Sequence, residues 1–378
     1  MTVNKAKYTC FRNLCDVEVS FSSGVNVLWG MNAQGKSNIL EGLYYFARGR
    51  SFRGVRDRDL VMFGEAAARC EIEFAKSGSS LPTTLTAAIP TLGKKKLFRN
   101  GAPLKGSAEM LGSFRAVLFC PSHLSIISGG PAERRTFLDI AIAQNSSAYI
   151  YYLSNYRRFL AERNALLKRY SSGVSVSTEE WETYAAQLSY AAAEIYAERH
   201  KYCALLTEDV SEYFREMTGD REKPELRYTS HLEVTESGEE VFDEKAATAE
   251  NLYTRLTTNI EREAAAGSTL WGPHKDDIHI TLNGKEARLF ASQGQQRSIA
   301  LSMKLAEGEI SRRLTGEYPV FLLDDVFSEL DETRRRFIMD KLRGRQIIVT
   351  SCEPSVVPSG NEDACIAFFE VKDGEIVG

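Results

Sequence analysis

A glycine-rich loop followed by lysine and serine is the part of this sequence best suited to chemistry. Residues 30–37, Gly-Met-Asn-Ala-Gln-Gly-Lys-Ser, match the pattern G-x-x-x-x-G-K-[ST] without a mismatch. In that motif backbone N–H groups surround a polyphosphate, the lysine reaches the β- and γ-phosphates, and the hydroxyl binds Mg²⁺. We therefore expect ATP or GTP here, with Lys36 on the phosphates and Ser37 on the metal ion.

The segments on either side of this loop support that interpretation. Residues 25–29, Val-Asn-Val-Leu-Trp, read as a strand, and residues 37–46 read as a helix. A phosphate loop requires this strand–loop–helix context, because the positive end of the helix dipole faces the anion. The alternative, a glycine-rich turn that only joins two elements, fits less well.

Two carboxylates near the other end of the chain could complete the site. The apolar run 319–323, Pro-Val-Phe-Leu-Leu, predicts a buried parallel strand, and Asp324 and Asp325 follow it. Ligands of α/β sheets bind at the carboxyl ends of the strands. We expect Asp324 to hold Mg²⁺, and Asp325 to orient or deprotonate the attacking water. Taken alone, the two acids could equally mark a solvated strand end.

A second glycine-containing turn lies between these segments. Residues 292–297, Ser-Gln-Gly-Gln-Gln-Arg, precede a helix predicted from Ser298 to about Leu314. A helix N-terminus can bind an anion, but one nucleotide does not need two such sites. A symmetric dimer resolves this, because the turn of one copy can cover the γ-phosphate held by the other. Taken alone, the turn could as well be an ordinary helix cap.

Together these segments resemble an ATP-binding-cassette ATPase. Residues 30–37, 292–297 and 321–325 occupy the places of the Walker A, signature and Walker B elements, and Ser328-Glu329-Leu330-Asp331 that of the D-loop. Within that superfamily the chain resembles the RecF family, which is related to the Rad50 and chromosome-maintenance ATPases. The closer likeness is carried by further segments, namely 11–13, 49–53, 119–121, 134–139, loosely 187–206, and 272–277.

The resemblance implies an α/β fold. It would be a P-loop ABC-type ATPase head, with a mixed sheet and an antiparallel edge subdomain, into which a helical arm is inserted. We expect residues 1–120 to form the N-terminal half of the head, 121–268 the arm, and 269–378 the C-terminal half. Apolar residues at helical spacing predict three arm helices. The first spans about 149–170, and the third spans about 244–266. The second begins at a capping box formed by Ser177 and Glu180 and ends near Gly219. Their aromatic residues fit an arm core better than a base-stacking platform.

The expected site has three groups of residues. The catalytic residues would be Lys36, Asp324 and Asp325, and the metal ligands Ser37 and Asp324. ATP would contact residues of the same copy, namely Gly30, Asn32, Gly35, Lys36, Ser37, Asn38, Arg12 and Asn13. Across the dimer it would contact Ser292, Gly294 and Gln295.

Three positions depart from the usual cassette pattern. Asp325 replaces a glutamate, and a carboxylate one methylene shorter predicts slow hydrolysis. Thr350-Ser351-Cys352 stands where many cassettes carry a switch histidine, and Phe119-Cys120-Pro121-Ser122 stands where others carry a glutamine loop. These departures bear on turnover and leave ATP binding and ATP-driven pairing intact.

Composition and charge limit the function further. The chain has 378 residues, 43% of them hydrophobic, and no apolar run near the roughly 20 residues of a membrane span. Residues 1–5, Met-Thr-Val-Asn-Lys, have no apolar core of the secretory kind, and the seven cysteines lack a C-x-x-C pair, so we expect a cytoplasmic protein with reduced thiols. The net charge of −4 means that DNA must be attracted by local basic clusters. Three clusters are candidates, each of which could also be a solvated face: Arg48, Arg50, Arg53, Arg56 and Arg58; Lys94, Lys95, Lys96, Arg99 and Lys105; and Arg157, Arg158, Arg163, Lys168 and Arg169.

One segment keeps two interpretations. Residues 272–277, Gly-Pro-His-Lys-Asp-Asp, could suggest a metal site because they combine histidine and carboxylates. The Gly-Pro pair opens a turn, however, and an alternating strand follows, so a turn with Asp capping fits better.

The function expected from the resemblance is a nucleoid-associated, ATP-dependent DNA-binding protein. It would dimerise on ATP with Mg²⁺, clamp double-stranded DNA at gaps or junctions, and be reset by slow hydrolysis. The resemblance also implies recombinase loading with RecO and RecR as partners, and no membrane. One alternative is a nucleotide-gated scaffold in which only ATP binding matters. A transporter-associated ATPase is a weaker one.

Overall fold

The computed structural model describes residues 1–79, 81–230, 232, 245–356 and 366–377. Contacts divide the chain into two compact units. Unit 1 comprises Met1–Leu124, Tyr213–Gly219 and Ala300–Gly378, and unit 2 comprises Ser125–Glu212 and Asp220–Ile299. This division differs from the predicted segments in three places. Residues 269–299 belong to unit 2, although the prediction assigns them to the C-terminal half of the head, and residues 121–124 and 213–219 belong to unit 1, although the prediction assigns them to the arm.

The elements are numbered in chain order. The strands are β1 (Thr2–Phe11), β2 (Leu14–Ser20), β3 (Val25–Trp29), β4 (Ala67–Ala75), β5 (Thr83–Pro90), β6 (Lys96–Arg99), β7 (Ala102–Leu104), β8 (Ala116–Phe119), β9 (Pro224–Thr229), β10 (Asp277–Leu282), β11 (Lys285–Glu286), β12 (Val320–Asp324), β13 (Ile347–Ser351), β14 (Ile366–Lys372) and β15 (Glu375–Val377). The helices are α1 (Lys36–Arg48), α2 (Ser107–Met110), α3 (Ser125–Ser128), α4 (Pro131–Ala143), α5 (Ser147–Ser171), α6 (Thr178–Thr218), α7 (Lys245–Thr258), α8 (Ile260–Ala266), α9 (Ala287–Phe290), α10 (Gln293–Thr315) and α11 (Glu332–Lys341).

Unit 1 contains a six-stranded sheet that positions the site, with the order β15-β14-β3-β13-β12-β8. Its strands pair in parallel, except for the antiparallel edge strand β15. Every residue of β12 and β13 is buried, as their apolar sequences require of parallel strands covered on both faces. The predicted strands at 25–29 and 319–323 are confirmed, the second as Val320–Asp324.

A second, antiparallel sheet completes unit 1, with the order β2-β1-β4-β5-β6-β7. A turn at Asn100-Gly101 joins β6 to β7, and both residues have positive φ (50° and 79°), as the Asn-Gly pair favours. Buried Gln346 connects the two sheets, because its side-chain amide accepts from Val3 N at 2.6 Å and donates to Val3 O at 2.7 Å. The predicted mixed head with an antiparallel subdomain is therefore confirmed.

Unit 2 is mainly helical. The first two predicted arm helices are confirmed as α5 and α6, and Ser177 and Glu180 form the predicted capping box at the start of α6. The third prediction, one helix over 244–266, is wrong within the described residues, because α7 ends at Thr258 and Asn259 starts α8. Residue 244 lies outside the described residues.

The aromatic residues of unit 2 mostly form its core. Tyr149, Tyr156 and Trp181 are buried, which confirms the core interpretation of the predicted stripe. Tyr151 and Tyr190 lie on the surface and are 65% and 62% exposed. Among the described helices, none combines the length and the apolar character that a membrane span requires.

Buried ion pairs also hold unit 2 together. Arg163 and Glu263 are fully buried and lie 2.5 Å apart. Arg163 is therefore not part of a solvent-facing basic cluster, and the sequence prediction is wrong for this residue. The reason is that Arg163 lies on the face of α5 that packs into the helical core. Arg199 pairs with Asp139 at 2.7 Å in the same unit.

The segment 272–277 forms a turn, with a 3-10 helix at Pro273–Lys275. Arg134 donates to both oxygens of Asp277, at 2.6 and 2.8 Å, and Tyr228 donates to Asp276. Burial raises the pKa of Asp276 to about 7 and lowers that of His274 to about 4. The described residues contain no group of three or more potential metal ligands. The turn interpretation is confirmed. Asp276 accepts from the Tyr228 side chain, whereas Asp277 accepts both from the Arg134 side chain and, through Oδ1, from the backbone N–H of Ile278 at 2.8 Å.

Candidate nucleotide-binding site

The phosphate loop connects β3 to α1, as its sequence predicts, and close backbone packing fixes its shape. Gly30 has φ +147°, and a Cβ atom at this position would lie 2.3 Å from the carbonyl oxygen of Val371 in β14. Gly35 has φ +114°, and its Cβ would meet the Asn13 side chain at 2.9 Å. Both positions therefore require glycine, because any larger residue would push β14 or Asn13 away from the loop.

The loop borders a cavity of about 350 Å³ in unit 1. This cavity brings together the phosphate loop and two residues from near the C-terminus, Asp325 and Thr350. Its lining consists of Asn32, Ala33, Gln34, Gly35, Lys36, Ser37, Asn38, Arg53, Asp325 and Thr350. Five predicted loop and helix residues (Asn32, Gly35, Lys36, Ser37 and Asn38) therefore face the same space as Asp325.

The Lys36 ammonium group lies at the centre of the loop. It donates hydrogen bonds to the backbone oxygens of Gly30 at 2.5 Å and Met31 at 2.6 Å, and the residue is buried. A buried cation needs such partners. They hold the positive charge beside the N-terminus of α1, where the helix dipole adds to the attraction for an anion.

The two predicted carboxylates lie on adjacent positions with different environments. Asp324 ends β12 and is buried, whereas Asp325 is exposed to the cavity and has φ +52°. The Thr350 hydroxyl donates to Asp324 Oδ1 at 2.9 Å, and it accepts from the Asp325 backbone N–H, also at 2.9 Å. Thr350 begins the segment Thr350-Ser351-Cys352, which stands where many cassettes carry a switch histidine.

Sequence reasoning missed the support for the loop from the C-terminal hairpin. The turn at Asp373-Gly374 joins β14 to β15, and its backbone N–H groups donate to Gln34, at 2.5 Å to the side chain and 2.9 Å to the carbonyl. Gly374 has φ +82°, and its Cβ would lie 2.1 Å from the Asn13 carbonyl oxygen. The Asp-Gly pair is a turn signal in the sequence, but nothing local indicates what the turn contacts.

A polar network connects Arg12 and Asn13 to the site. Arg12 donates two 3.0 Å hydrogen bonds to Glu41, a fully buried residue on α1 that sequence reasoning also missed. Asn13 accepts from Asn38 at 2.7 Å, and Arg53 donates to the Asn38 oxygen at 2.9 Å. Arg12 does not line the cavity and holds α1 through Glu41, and its expected contact with ATP stays a prediction. Arg53, which was predicted only as part of a basic cluster, does line it.

Ser292, Gly294 and Gln295 lie in unit 2, at the start of α10. The helix begins at Gln293, five residues before the predicted start, because Ser292 and Gln295 form a capping box. The Ser292 N–H donates to Gln295 Oε1 at 2.6 Å, and the Gln295 N–H donates to Ser292 Oγ at 3.3 Å. The Gln295 amide also donates to Glu222. Their expected role toward a second copy stays a prediction.

Only some of the basic residues in the two predicted clusters of unit 1 are exposed to solvent. Arg50, Arg56 and Arg58 are exposed, whereas Arg48 is partly buried and donates to Ser51 O. Lys95 is also held, by the Tyr45 hydroxyl at 2.9 Å and by Asp57 at 3.0 Å. The surface that could contact DNA is therefore smaller than the sequence clusters suggest.

Comparison with known proteins gives a consistent result. The profile of the RecF/RecN/SMC N-terminal domain matches residues 2–376. The chain is 36% identical over 376 residues to the DNA replication and repair protein RecF of Clostridium novyi (strain NT), covering 100% of this chain and 99% of the relative. It is 36% identical over 367 residues to RecF of Caldanaerobacter subterraneus subsp. tengcongensis, with 97% of each chain covered.

Comparison with solved structures supports the same relationship as the sequence comparison. RecF-ATP, the recombination mediator protein of the RecFOR pathway, has a TM-score of 0.90 at 34% identity, covering 100% of this chain and 98% of that chain. The Smc head domain of Pyrococcus furiosus has a TM-score of 0.56 at 17% identity, covering 99% of this chain and 95% of that chain, so it shows a shared fold only. By sequence over its full length and by structure, this chain belongs to the RecF family.

Proposed function

We propose that this protein is an ATP-dependent DNA-binding protein of recombinational repair. ATP drives two copies together, the dimer clamps DNA at gaps or junctions, and slow hydrolysis resets it. The observation that supports this most strongly is the cavity that unites residues 32–38 with Asp325 and Thr350. Relatives named as DNA replication and repair proteins support the choice of process.

The residues present suit a magnesium–ATP complex. Lys36 and the N-terminus of α1 would supply positive charge for the β- and γ-phosphates, and Gly30 and Gly35 allow the close packing against Val371 and Asn13 that fixes the shape of the loop. The Ser37 hydroxyl and the Asp324 carboxylate are hard oxygen ligands of the kind that Mg²⁺ prefers. When bound, Mg²⁺ would neutralise charge that develops on the phosphates.

Turnover would depend on Asp325. Its carboxylate lines the cavity and can accept a proton from, or orient, a water molecule attacking the γ-phosphate. Because aspartate is one methylene shorter than the usual glutamate, we expect the water to be held less closely and hydrolysis to be slow.

A second copy would complete the site. Ser292 is exposed at the start of α10, where a helix N-terminus can meet an anion. In a symmetric dimer the Ser292–Gln295 turn of each copy would cover the γ-phosphate bound by the other, giving two equivalent composite sites.

DNA binding would rest on the exposed arginines and lysines. Such contacts are strongly salt-dependent, because each neutralised phosphate releases counterions. RecO and RecR are the partners proposed for recombinase loading, since related RecF structures are described within the RecFOR pathway. We expect the protein to act in the cytoplasm at the nucleoid.

A nucleotide-gated scaffold is the competing function, because slow turnover could be incidental. Asp325→Asn separates the two. A clamp that must recycle would bind ATP, remain trapped on DNA and lose repair function in cells. A scaffold would keep that function.

The direct experiment is binding to a gapped duplex at moderate salt, with ATP, with ADP and without nucleotide. We expect binding that needs ATP and is lost in Lys36→Ala. Lys5→Ala is the matched control, because it removes an exposed lysine of the same unit outside the cavity. Binding that is absent or independent of nucleotide would overturn the clamp mechanism.

A further inference from the structure

We propose that Thr350 is a positioning residue that gives Asp324 and Asp325 their separate tasks; the inference rests on the proposed ATP chemistry. Thr350 lies in β13 directly beside Asp324, in the parallel register of β12 and β13. It is buried at the edge of the cavity. Its place in the sheet therefore puts one hydroxyl group between the two carboxylate residues.

The direction of both hydrogen bonds follows from chemistry. A backbone N–H can only donate, so the Thr350 oxygen accepts from Asp325 N. An ionised carboxylate can only accept, so the single hydroxyl proton goes to Asp324 Oδ1. Both bonds are 2.9 Å long. The hydroxyl thus links the side chain of one aspartate to the backbone of the next.

The Thr350 hydroxyl orients the carboxylate of Asp324. The bond to Oδ1 restricts the rotation of the Asp324 carboxylate and uses one of the acceptor sites of that oxygen. The carboxylate would therefore meet a cation in one preferred orientation. Groups that hold a metal ligand in this way commonly tune metal affinity.

The Thr350 hydroxyl also holds the backbone of Asp325. Successive residues of a strand point to opposite faces, so a regular continuation of β12 would separate the two carboxylates. The positive φ of Asp325 interrupts this alternation and lets its side chain line the cavity. This backbone conformation is costly for a residue other than glycine, and the bond from Asp325 N–H to Thr350 compensates part of the cost.

The hydroxyl is therefore the feature that the site needs at this position. Valine has the same shape as threonine but can neither donate nor accept, so Thr350→Val removes both bonds. Thr350→Ser keeps the hydroxyl. Thr86→Val is the matched control, because Thr86 is a buried strand residue of unit 1 whose hydroxyl donates to Glu71 at 2.9 Å, and it does not line the cavity.

The test measures Mg²⁺-dependent binding of a fluorescent ATP analogue, together with steady-state hydrolysis and thermal unfolding. In Thr350→Val we expect the Mg²⁺ concentration for half-maximal binding to rise about tenfold, while affinity without Mg²⁺ is unchanged. The kcat should fall about tenfold with little change in KM. Serine should restore both values, and Thr86→Val should change only the unfolding temperature.

The outcomes separate this inference from the proposed function. If the wild type binds and hydrolyses ATP and Thr350→Val matches it in Mg²⁺ dependence and kcat, the positioning role is wrong. If the wild type does not bind ATP, the proposed function fails and the inference fails with it. If Thr350→Val does not fold, Thr350→Ser is the deciding variant, because serine keeps the hydroxyl and loses only the methyl group. Wild-type Mg²⁺ dependence and kcat in Thr350→Ser would support the role of the hydroxyl. A loss of Mg²⁺ affinity or kcat in Thr350→Ser would contradict it, because the methyl group would then be what the site needs.

Discussion

The phosphate loop and the Ser292–Gln295 turn both precede a helix, but they are held in different ways. The phosphate loop is fixed from outside itself, because β14, Asn13 and the Asp373-Gly374 turn pack against its backbone. The Ser292–Gln295 turn is satisfied mainly from within, by its own capping box, and Ser292 is exposed.

This difference indicates separate roles for the phosphate loop and the Ser292–Gln295 turn. A loop locked by long-range packing is preorganised for a ligand within one chain. A turn that satisfies its own backbone can stay exposed without cost until another surface meets it. We infer that the first loop determines whether ATP binds, and the second determines what ATP binding does.

The largest effect should come from Ser292→Arg. Replacing Ser292 with a long cation would remove the contact of the turn with the γ-phosphate held by the second copy, which breaks both composite sites of a homodimer, so ATP-dependent dimerisation should be lost while the affinity of each monomer for ATP is unchanged. Light scattering and nucleotide titration measure the two quantities. Ser154→Arg, at another exposed position of unit 2, is the control. Dimerisation of Ser292→Arg with ATP would show that the interface lies elsewhere.

Gly374→Ala should damage the phosphate loop from a distance. The new Cβ would clash with the Asn13 carbonyl in a backbone conformation that disfavours alanine. We expect a loss of about 2–3 kcal/mol of stability and about tenfold weaker ATP binding. Gly101→Ala is a matched control, because it has a similar φ (+79°) but nothing within 4 Å of the new Cβ. Equal effects in both variants would mean that turn strain, rather than contact with the loop, is responsible.

Unit 2 should respond to pH through Asp276. Its pKa is about 7 in the folded protein, against an ordinary value of 3.8, so between these values the folded state binds more protons than the unfolded state. The stability that it contributes is present at low pH and falls by up to about 1.4 kcal/mol per pH unit as pH rises toward 7.

His274 opposes this dependence, because its lowered pKa destabilises the fold as pH falls below about 6.5. The measurement is therefore the difference in unfolding free energy between the wild type and Asp276→Asn from pH 4 to 8. We expect the wild type to lose stability relative to the variant as pH rises. Parallel curves would show that Asp276 titrates normally.

The smallest effect should come from Gln295→Ala. It removes one half of the capping box and the bond to Glu222, at an exposed turn. We expect about 0.5–1 kcal/mol lower stability in chemical unfolding and unchanged ATP binding. Gln293→Ala, at a neighbouring exposed position, should be close to neutral. A loss above roughly 2 kcal/mol would mean that the turn is as tightly built as the phosphate loop.

Local patterns were sufficient to predict much of this structure. The loop, its flanking strand and helix, the strand before Asp324 and the long arm helices all follow from motif and periodicity. Each depends on residues adjacent in sequence, so their physics is visible there. The start of α10 differs from the prediction because the Ser292–Gln295 capping box starts the helix at Gln293, before Ser298.

What could not be predicted depends on contacts between distant residues. Arg163 was assigned to a charged face because its partner Glu263 lies 100 residues away. The contact of Gly374 with Asn13, the burial of Glu41, and the raised pKa of Asp276 have the same origin. Periodicity indicates which face of a helix is polar on average, but it does not indicate which single charge is buried and paired.

The central claim is that one copy binds ATP and the other copy covers it. The most direct measurement mixes Lys36→Ala labelled with a fluorescent donor and Ser292→Arg labelled with an acceptor. In a symmetric dimer this pair retains one composite site, with an intact phosphate loop from one copy and an intact turn from the other. Neither variant alone should associate.

We predict ATP-dependent energy transfer in that mixture. We predict none when a chain carrying both substitutions is mixed with the wild type, because both composite sites are then broken. Absence of transfer in the first mixture, or equal transfer in the two, would contradict the account.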